Sequence, residues 1–232
     1  MKTNLILFLI LSALSHLAWA NFSAEVFELK SARKKILFNC QNVTADKEGF
    51  TESKSTYTDP AGAVALEESA QMKGSTLVRY EMDQRQMGVK ASVEVKDDQV
   101  LFEKTENGKT KKDSESLRKP LVISSTFWAF VKEHWSEITA GKTVGFRYAS
   151  WERMETVGFE IKKSGEEVQD GHPVVIVKMA ASSFVIAAIV DPLYFTYSAD
   201  GAQMISMKGR VAPKQKIDSS WKDLDAEVVY HY

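Results

Sequence analysis

Apolar and polar residues take turns along much of this chain. The alternation is clear in Val78-Arg79-Tyr80-Glu81-Met82 and in Val89-Lys90-Ala91-Ser92-Val93-Glu94-Val95. It recurs in Val144-Gly145-Phe146-Arg147-Tyr148 and in Val157-Gly158-Phe159-Glu160-Ile161. Successive side chains on a strand point to opposite faces, so each segment predicts a strand with one apolar and one polar face. Half-buried strands of this kind belong to antiparallel sheets, because parallel sheets are covered on both sides. Between the runs stand Asp59-Pro60-Ala61-Gly62, Lys73-Gly74, Asp97-Asp98, Glu106-Asn107-Gly108, Asp170-Gly171 and Asp200-Gly201. Asn, Asp and Gly tolerate positive φ and Pro presets a turn, so these are hairpin connections. Their close spacing predicts a long meander.

Two segments break the period of two. From Ser124 and Ser125, candidate N-caps, to about Thr139, the residues Phe127, Val131, Trp135 and Ile138 recur at helical spacing, with Phe130 and His134 beside them. Lys132, Glu133 and Glu137 take the opposite face and Gly141 supplies the stop, which predicts one amphipathic helix laid on the sheet. The second, Ser182 to Val190, is short, apolar almost all round and ended by Pro192. A helix without a polar face is expected to be buried or to sit in an apolar mouth. The polar stretch Thr105 to Pro120 reads as a solvated hairpin and loop, and residues 21–232 as a single β-rich domain.

The N-terminus changes the picture of where the chain works. Lys2, the apolar run Leu5 to Leu14 and the small residues of Ala18-Trp19-Ala20 have the three parts of a secretory signal peptide spanning residues 1–20, with cleavage expected before Asn21. The apolar run is short of the ~20 residues that a membrane-spanning helix needs, and the internal run Phe184 to Val190 is shorter still. No cysteine follows the cleavage site, so a lipid anchor is not expected. The compact signal and a single cysteine point to a bacterial periplasm; the sequons at Asn21 and Asn42 matter only in a eukaryotic secretory pathway.

Composition narrows the chemistry. Without Lys2 the chain carries 29 Lys and Arg against 31 Asp and Glu, near −2, which argues against nucleic acid as a partner. Cys40, the sole cysteine, precludes an intramolecular disulfide and sits in the strand-like run Ile36-Leu37-Phe38-Asn39-Cys40, where a small buried hydrophobe is expected rather than a reactive thiol. His134, His172 and His231 have neither the spacing of a zinc site nor a nucleophile motif near them, and there is no Gly-x-Ser-x-Gly elbow, His-Glu-x-x-His or phosphate-binding Gly loop. No catalytic residue, metal site or cofactor is assigned. Glu67-Glu68 and Glu166-Glu167 read as solvated strand or turn residues.

Tyr57 to Gly62 with Glu67-Glu68, the block Phe127 to Gly141, the pair Phe146-Arg147 with Glu152 to Phe159, and Met179 to Pro192 resemble a family of uncharacterised exported bacterial proteins. That resemblance spans most of the chain and brings no activity with it. The architecture is also similar, at fold level only, to the periplasmic lipoprotein-carrier (LolA/LolB-like) half-barrels, which hold acyl chains against a concave sheet. The fold expected is therefore mainly β: a curved antiparallel sheet or incomplete barrel with one amphipathic helix and one short apolar helix.

Three functions follow as alternatives. The first is a non-catalytic periplasmic module binding a hydrophobic ligand such as lipid or an acyl chain, with Phe130, Trp135, Phe184, Ile186 and Ile189 as apolar contacts and Arg147 or Arg153 holding a head group. The second is an outer-membrane β-barrel or envelope scaffold, suggested by the alternating last strand Leu224, Ala226, Val228, Tyr230 and Tyr232. The third is an enzyme of another class, centred on the charge cluster Arg147, Glu152, Arg153 and Glu155, whose simplest reading is a cross-strand salt-bridge face.

Overall fold

The computed structural model describes residues 21–188 and 190–232. The signal-peptide residues 1–20 and Ile189 lie outside the described residues.

The predicted hairpins form one continuous meander. The first half comprises β1 (Phe22–Glu28), β2 (Ile36–Lys47), β3 (Phe50–Thr58), β4 (Val64–Lys73), β5 (Thr76–Gln84), β6 (Val89–Lys96), β7 (Gln99–Glu106) and β8 (Lys109–Ser116). A short β9 (Leu121–Val122) leads into helices α1 (Ser124–Glu133) and α2 (Trp135–Thr139). The second half is β10 (Val144–Ser150), β11 (Glu155–Gln169), β12 (His172–Ala181), helix α3 (Phe184–Ala187), β13 (Leu193–Ser198), β14 (Met204–Ile217) and β15 (Ser220–His231). Turn chemistry sets the connections: both central residues of Asp97-Asp98, Asn107-Gly108 and Asp170-Gly171 have positive φ, the backbone twist that matches right-twisted strands in a two-residue hairpin.

The first strand pairs antiparallel with the last, Val26 opposite Val228, so the two halves join into a single fifteen-stranded sheet with β8 at one edge and β9 at the other. Every neighbouring pair is antiparallel except β9 with β10. Among the described residues no ladder joins the two edges, and the sheet stays open. A contact other than a ladder ties the edge strand β8 to the second half of the sheet. The Glu115 carboxylate on β8 accepts the Thr156 backbone N–H of β11 at 3.0 Å.

The interior holds two adjoining cores. The larger gathers Val26, Phe38, Ile161, Val177, Phe195 and Ala226 around Phe127, Phe130 and Val131 of α1, with Ile138 of α2. The smaller gathers Leu66, Met72, Leu77, Tyr80, Val93 and Phe102 from β4 to β7 with Leu121 and Ile123. Between them the β14 bulge approaches the β5–β6 turn. Gln84 and Gln86 donate to the carbonyls of Ala212 and Lys214, and the Lys214 N–H donates back to Gln86.

The helices depart from expectation in two ways. The predicted single helix is broken at His134 (φ −100°), and the Trp135 indole that follows packs on Tyr197 at 5.4 Å. Its N-cap is Ile123, not a serine. The Ile123 N–H is taken by the Thr126 hydroxyl at 2.9 Å, which leaves the Ser124 side chain available to the interior. Gly141 does end the pair, at φ +83°. The predicted apolar helix is a single turn, α3, and it is neither buried nor covered: Phe184 is 89% and Val185 73% exposed. None of the helices among the described residues is long and apolar enough to cross a membrane.

Gly201 tests how tightly the far end is closed. Its φ is +70°, and a Cβ there would lie 2.5–2.7 Å from the Trp135 ring. Gly74 has φ +60° and open space around it. Gly201→Ala is expected to destabilise by about 2–4 kcal/mol and Gly74→Ala by about 1 kcal/mol in chemical denaturation, because only the first adds a clash to backbone strain. Equal losses would show that Trp135 does not seal that end.

Candidate functional site

The sheet curls around more space than its side chains and α1 fill. A cavity of about 380 Å³ remains on the concave face. Strand alternation brings the residues to it: Tyr148 on β10 and Ala24 on β1 reach the cavity, Phe146 on the same face of β10 is packed in the core, and Arg147 points outward. Most of the wall is apolar and aromatic, with Phe22, Phe127, Phe159, Phe195, Met179 and Met207 among its residues.

Two polar patches interrupt this wall. One is a self-satisfied group on β2 and β3: Asn42 Nδ2 donates to Ser53 Oγ at 2.9 Å and to Ser55 Oγ at 3.0 Å, and Thr44 Oγ1 donates to Asn42 Oδ1 at 3.1 Å. The other centres on Glu68, only 6% exposed. The Tyr80 hydroxyl donates to Glu68 Oε1 at 2.5 Å and the Ser124 hydroxyl donates to the same oxygen at 3.3 Å. Glu68 Oε2 has no protein hydrogen bond among the described residues. The first turn of α1 therefore carries a side-chain donor into the site.

Burial dominates the electrostatics here. It raises the Glu68 carboxyl above the usual carboxylate range, against the opposing hydrogen bonds from Tyr80 and Ser124, and the nearby Glu152 charge adds to the rise. Burial likewise pushes the Cys40 thiol up to about 12, assisted by Glu68 and opposed by the hydrogen bond from Tyr57. Tyr57, Tyr80, Tyr148 and Tyr230 are all raised by burial first. Desolvation disfavours charge, so the chamber holds its protons. A thiol this hard to ionise is a poor nucleophile, and Cys40 serves as a buried hydrophobe.

The structure does not bring the sequence-predicted site residues together. Phe130 is packed in the core between Phe146 and His134, and Trp135 packs on Tyr197 and over Gly201, away from the cavity lining. Arg147 faces outward and donates to the Thr156 hydroxyl and carbonyl. Arg153, in the exposed β10–β11 turn, pairs with Glu155 at 2.5 Å. Neither arginine points into the cavity, so neither is placed to hold a head group there. Phe184 is exposed and Ile186 half-buried on α3, close in sequence to Val190 and Leu193, which do line the cavity. Ile189 lies outside the described residues. The residue missed was Glu68, which is not solvated as expected. It shares a strand face with Leu66, Ala70 and Met72, and a carboxylate inside an otherwise apolar row was the available signal.

An open, barrel-like antiparallel sheet with a helix packed on its concave face is the class these features define. A solved structure shares it: a beta-barrel-like protein of a domain of unknown function, DUF1849, from Brucella abortus, similar with a TM-score of 0.51 and 8% identity over 90% of this chain and 93% of that one. This likeness establishes the fold and leaves activity open. No family model and no curated protein matches the chain.

Glu68 gives a pH signature with a definite sign. A carboxyl whose folded pKa is raised stabilises the protein fully below its unfolded value of ~4.3, and that contribution is lost as pH rises through the folded value. Glu68→Gln stays neutral throughout. Its melting temperature relative to wild type should therefore climb with pH above ~4.3, by about 2–4 °C for each ~1 kcal/mol released. A constant difference across that range would show that Glu68 is not desolvated.

Proposed function

We propose that the protein is a soluble, non-catalytic module of the bacterial periplasm that holds a hydrophobic ligand, such as a lipid or acyl chain, in the cavity of its half-barrel. The cavity of about 380 Å³ carries this reading. Its size falls within the ~300–1,000 Å³ of small-molecule sites, and its wall has their character, apolar with a few convergent polar groups. The expected signal peptide at residues 1–20 supports export.

The outer face favours a soluble protein over the outer-membrane barrel. Leu224, Ala226 and Val228 of the last strand turn inward and are buried, while Asp223 and Asp225 face out and pair with Arg210. On β4 to β6, Arg85 pairs with Glu67, and Arg79 with Glu81 and Glu94. A lipid-facing surface needs the reverse, an outward apolar band ~25 Å tall.

Two measurements test the reading. Detergent-free fractionation should place the mature chain, beginning at Asn21, in the periplasmic fraction. Organic extraction of the purified protein followed by mass spectrometry should release a co-purified amphiphile, and a neutral naphthylamine probe should bind with enhanced fluorescence. A membrane-bound protein would overturn the location; an empty protein that fails to bind the probe would overturn the ligand.

A further inference from the structure

We infer that the cavity selects amphiphiles whose head group is a protonated amine, with Glu68 Oε2 as its anchor. The inference deepens the proposed ligand-binding reading and rests on it.

The charge inventory of the wall is one-sided. Glu68 and Glu152 are its carboxylates, and Arg210 is its one basic residue among those described. Arg210 is already committed to Asp223 and Asp225 on the outer surface. An anionic head group brought inside would face the Glu68 carboxyl with no uncommitted cation on the wall, since Lys214, 3.8 Å from Glu152 behind it, is itself paired with Asp223. The Ser124 hydroxyl at the first turn of α1 is already given to Glu68.

The geometry at Glu68 suits a cation. Both protein donors meet Oε1, so Oε2 is the oxygen left to a ligand. The groups facing Glu68 are Cys40 from β2, Tyr57 from β3, Tyr80 from β5, Ser124 from α1, Tyr148 from β10, Tyr230 from β15 and Glu152 beyond them. None is basic, and the aromatic residues Tyr57, Tyr148, Trp151 and Tyr230 also line the chamber. An ammonium there gains a charge-assisted hydrogen bond and cation–π attraction, both strengthened by desolvation. A protonated amine also favours the carboxylate, so its binding releases the Glu68 proton to solvent. Affinity for the amine should therefore rise as pH passes through the Glu68 titration.

Displacement of the neutral naphthylamine probe by dodecylamine, dodecanol and dodecanoate, each below its micelle concentration, tests this. The amine should displace it from wild type at a concentration lower than dodecanoate by about tenfold or more, the scale of one charge-assisted hydrogen bond. Glu68→Gln should abolish that preference and its pH dependence while dodecanol binding persists. Glu152→Gln, remote from the Tyr80 hydrogen bond, should reduce the preference in part and stands in should the first variant misfold. Dodecanoate binding as tightly as the amine in wild type, or an undiminished preference in both variants, would overturn the amine assignment and leave the cavity reading intact. Failure of all three amphiphiles to displace the probe would overturn both.

Discussion

An open sheet has no edge-to-edge ladder to hold its curl, and here interior packing on α1 does most of that work. A closed barrel fixes its shape through a continuous ladder. In this chain β8 and β9 are free edges, and the curvature persists because Phe127, Phe130 and Val131 bury themselves against strands from the second half of the sheet. The rings of Phe127 and Phe195 sit 4.6 Å apart and those of Phe130 and Phe146 5.0 Å apart. Large apolar side chains of this kind contribute roughly 1.5–3 kcal/mol each on burial. The side chains of Gln84 and Gln86 add a second brace to the β14 bulge. The second core adds to this by packing Leu121 of β9 and Ala149 of β10 against β4 to β7.

The cavity follows from the same arrangement. A helix is too narrow to fill a half-barrel of fifteen strands, and α1 packs toward the β10–β14 side. The space it leaves is flanked by β1 to β5, whose inward rows include the small or polar Ala24, Asn42, Ser53 and Ser55. Glu68 sits where this wall meets the first turn of α1, so the element that maintains the curl also supplies a donor to the buried carboxyl. Stability and site are built from one contact surface.

Much of the fold was legible because alternation and turn chemistry are local. The hairpins at Asp97-Asp98, Asn107-Gly108 and Asp170-Gly171 could be placed from two residues each, and the helix from the spacing of Phe127, Val131 and Ile138. The break at His134 was not, since it follows from packing at the far end of the barrel. The site was far less legible. Arg147 and Arg153 stand out in the sequence as charges beside aromatics, yet Phe146 and Tyr148 form the inward row, so strand parity already turns Arg147 outward. Glu68 reads as one of a solvated pair, though the same parity argument sets it in line with Leu66 and Met72. Asn42, Ser53 and Ser55 carry no periodic signal, because polar residues read as outward-facing until the sheet is seen to curl around them. The exposed Phe184 shows the converse: apolarity alone does not say that a turn of helix is covered.

The central claim is that the space beside α1 admits a ligand while the second core stays sealed. Methionines report on both compartments: Met179, Met204 and Met207 line the cavity, whereas Met72 is buried in the second core. A titration with dodecanol followed by NMR of isotope-labelled methionine methyl groups separates them. The account predicts saturable shifts for Met179, Met204 and Met207, with Met72 unmoved. Shifts that spare the first three, or that move all four together, would contradict it.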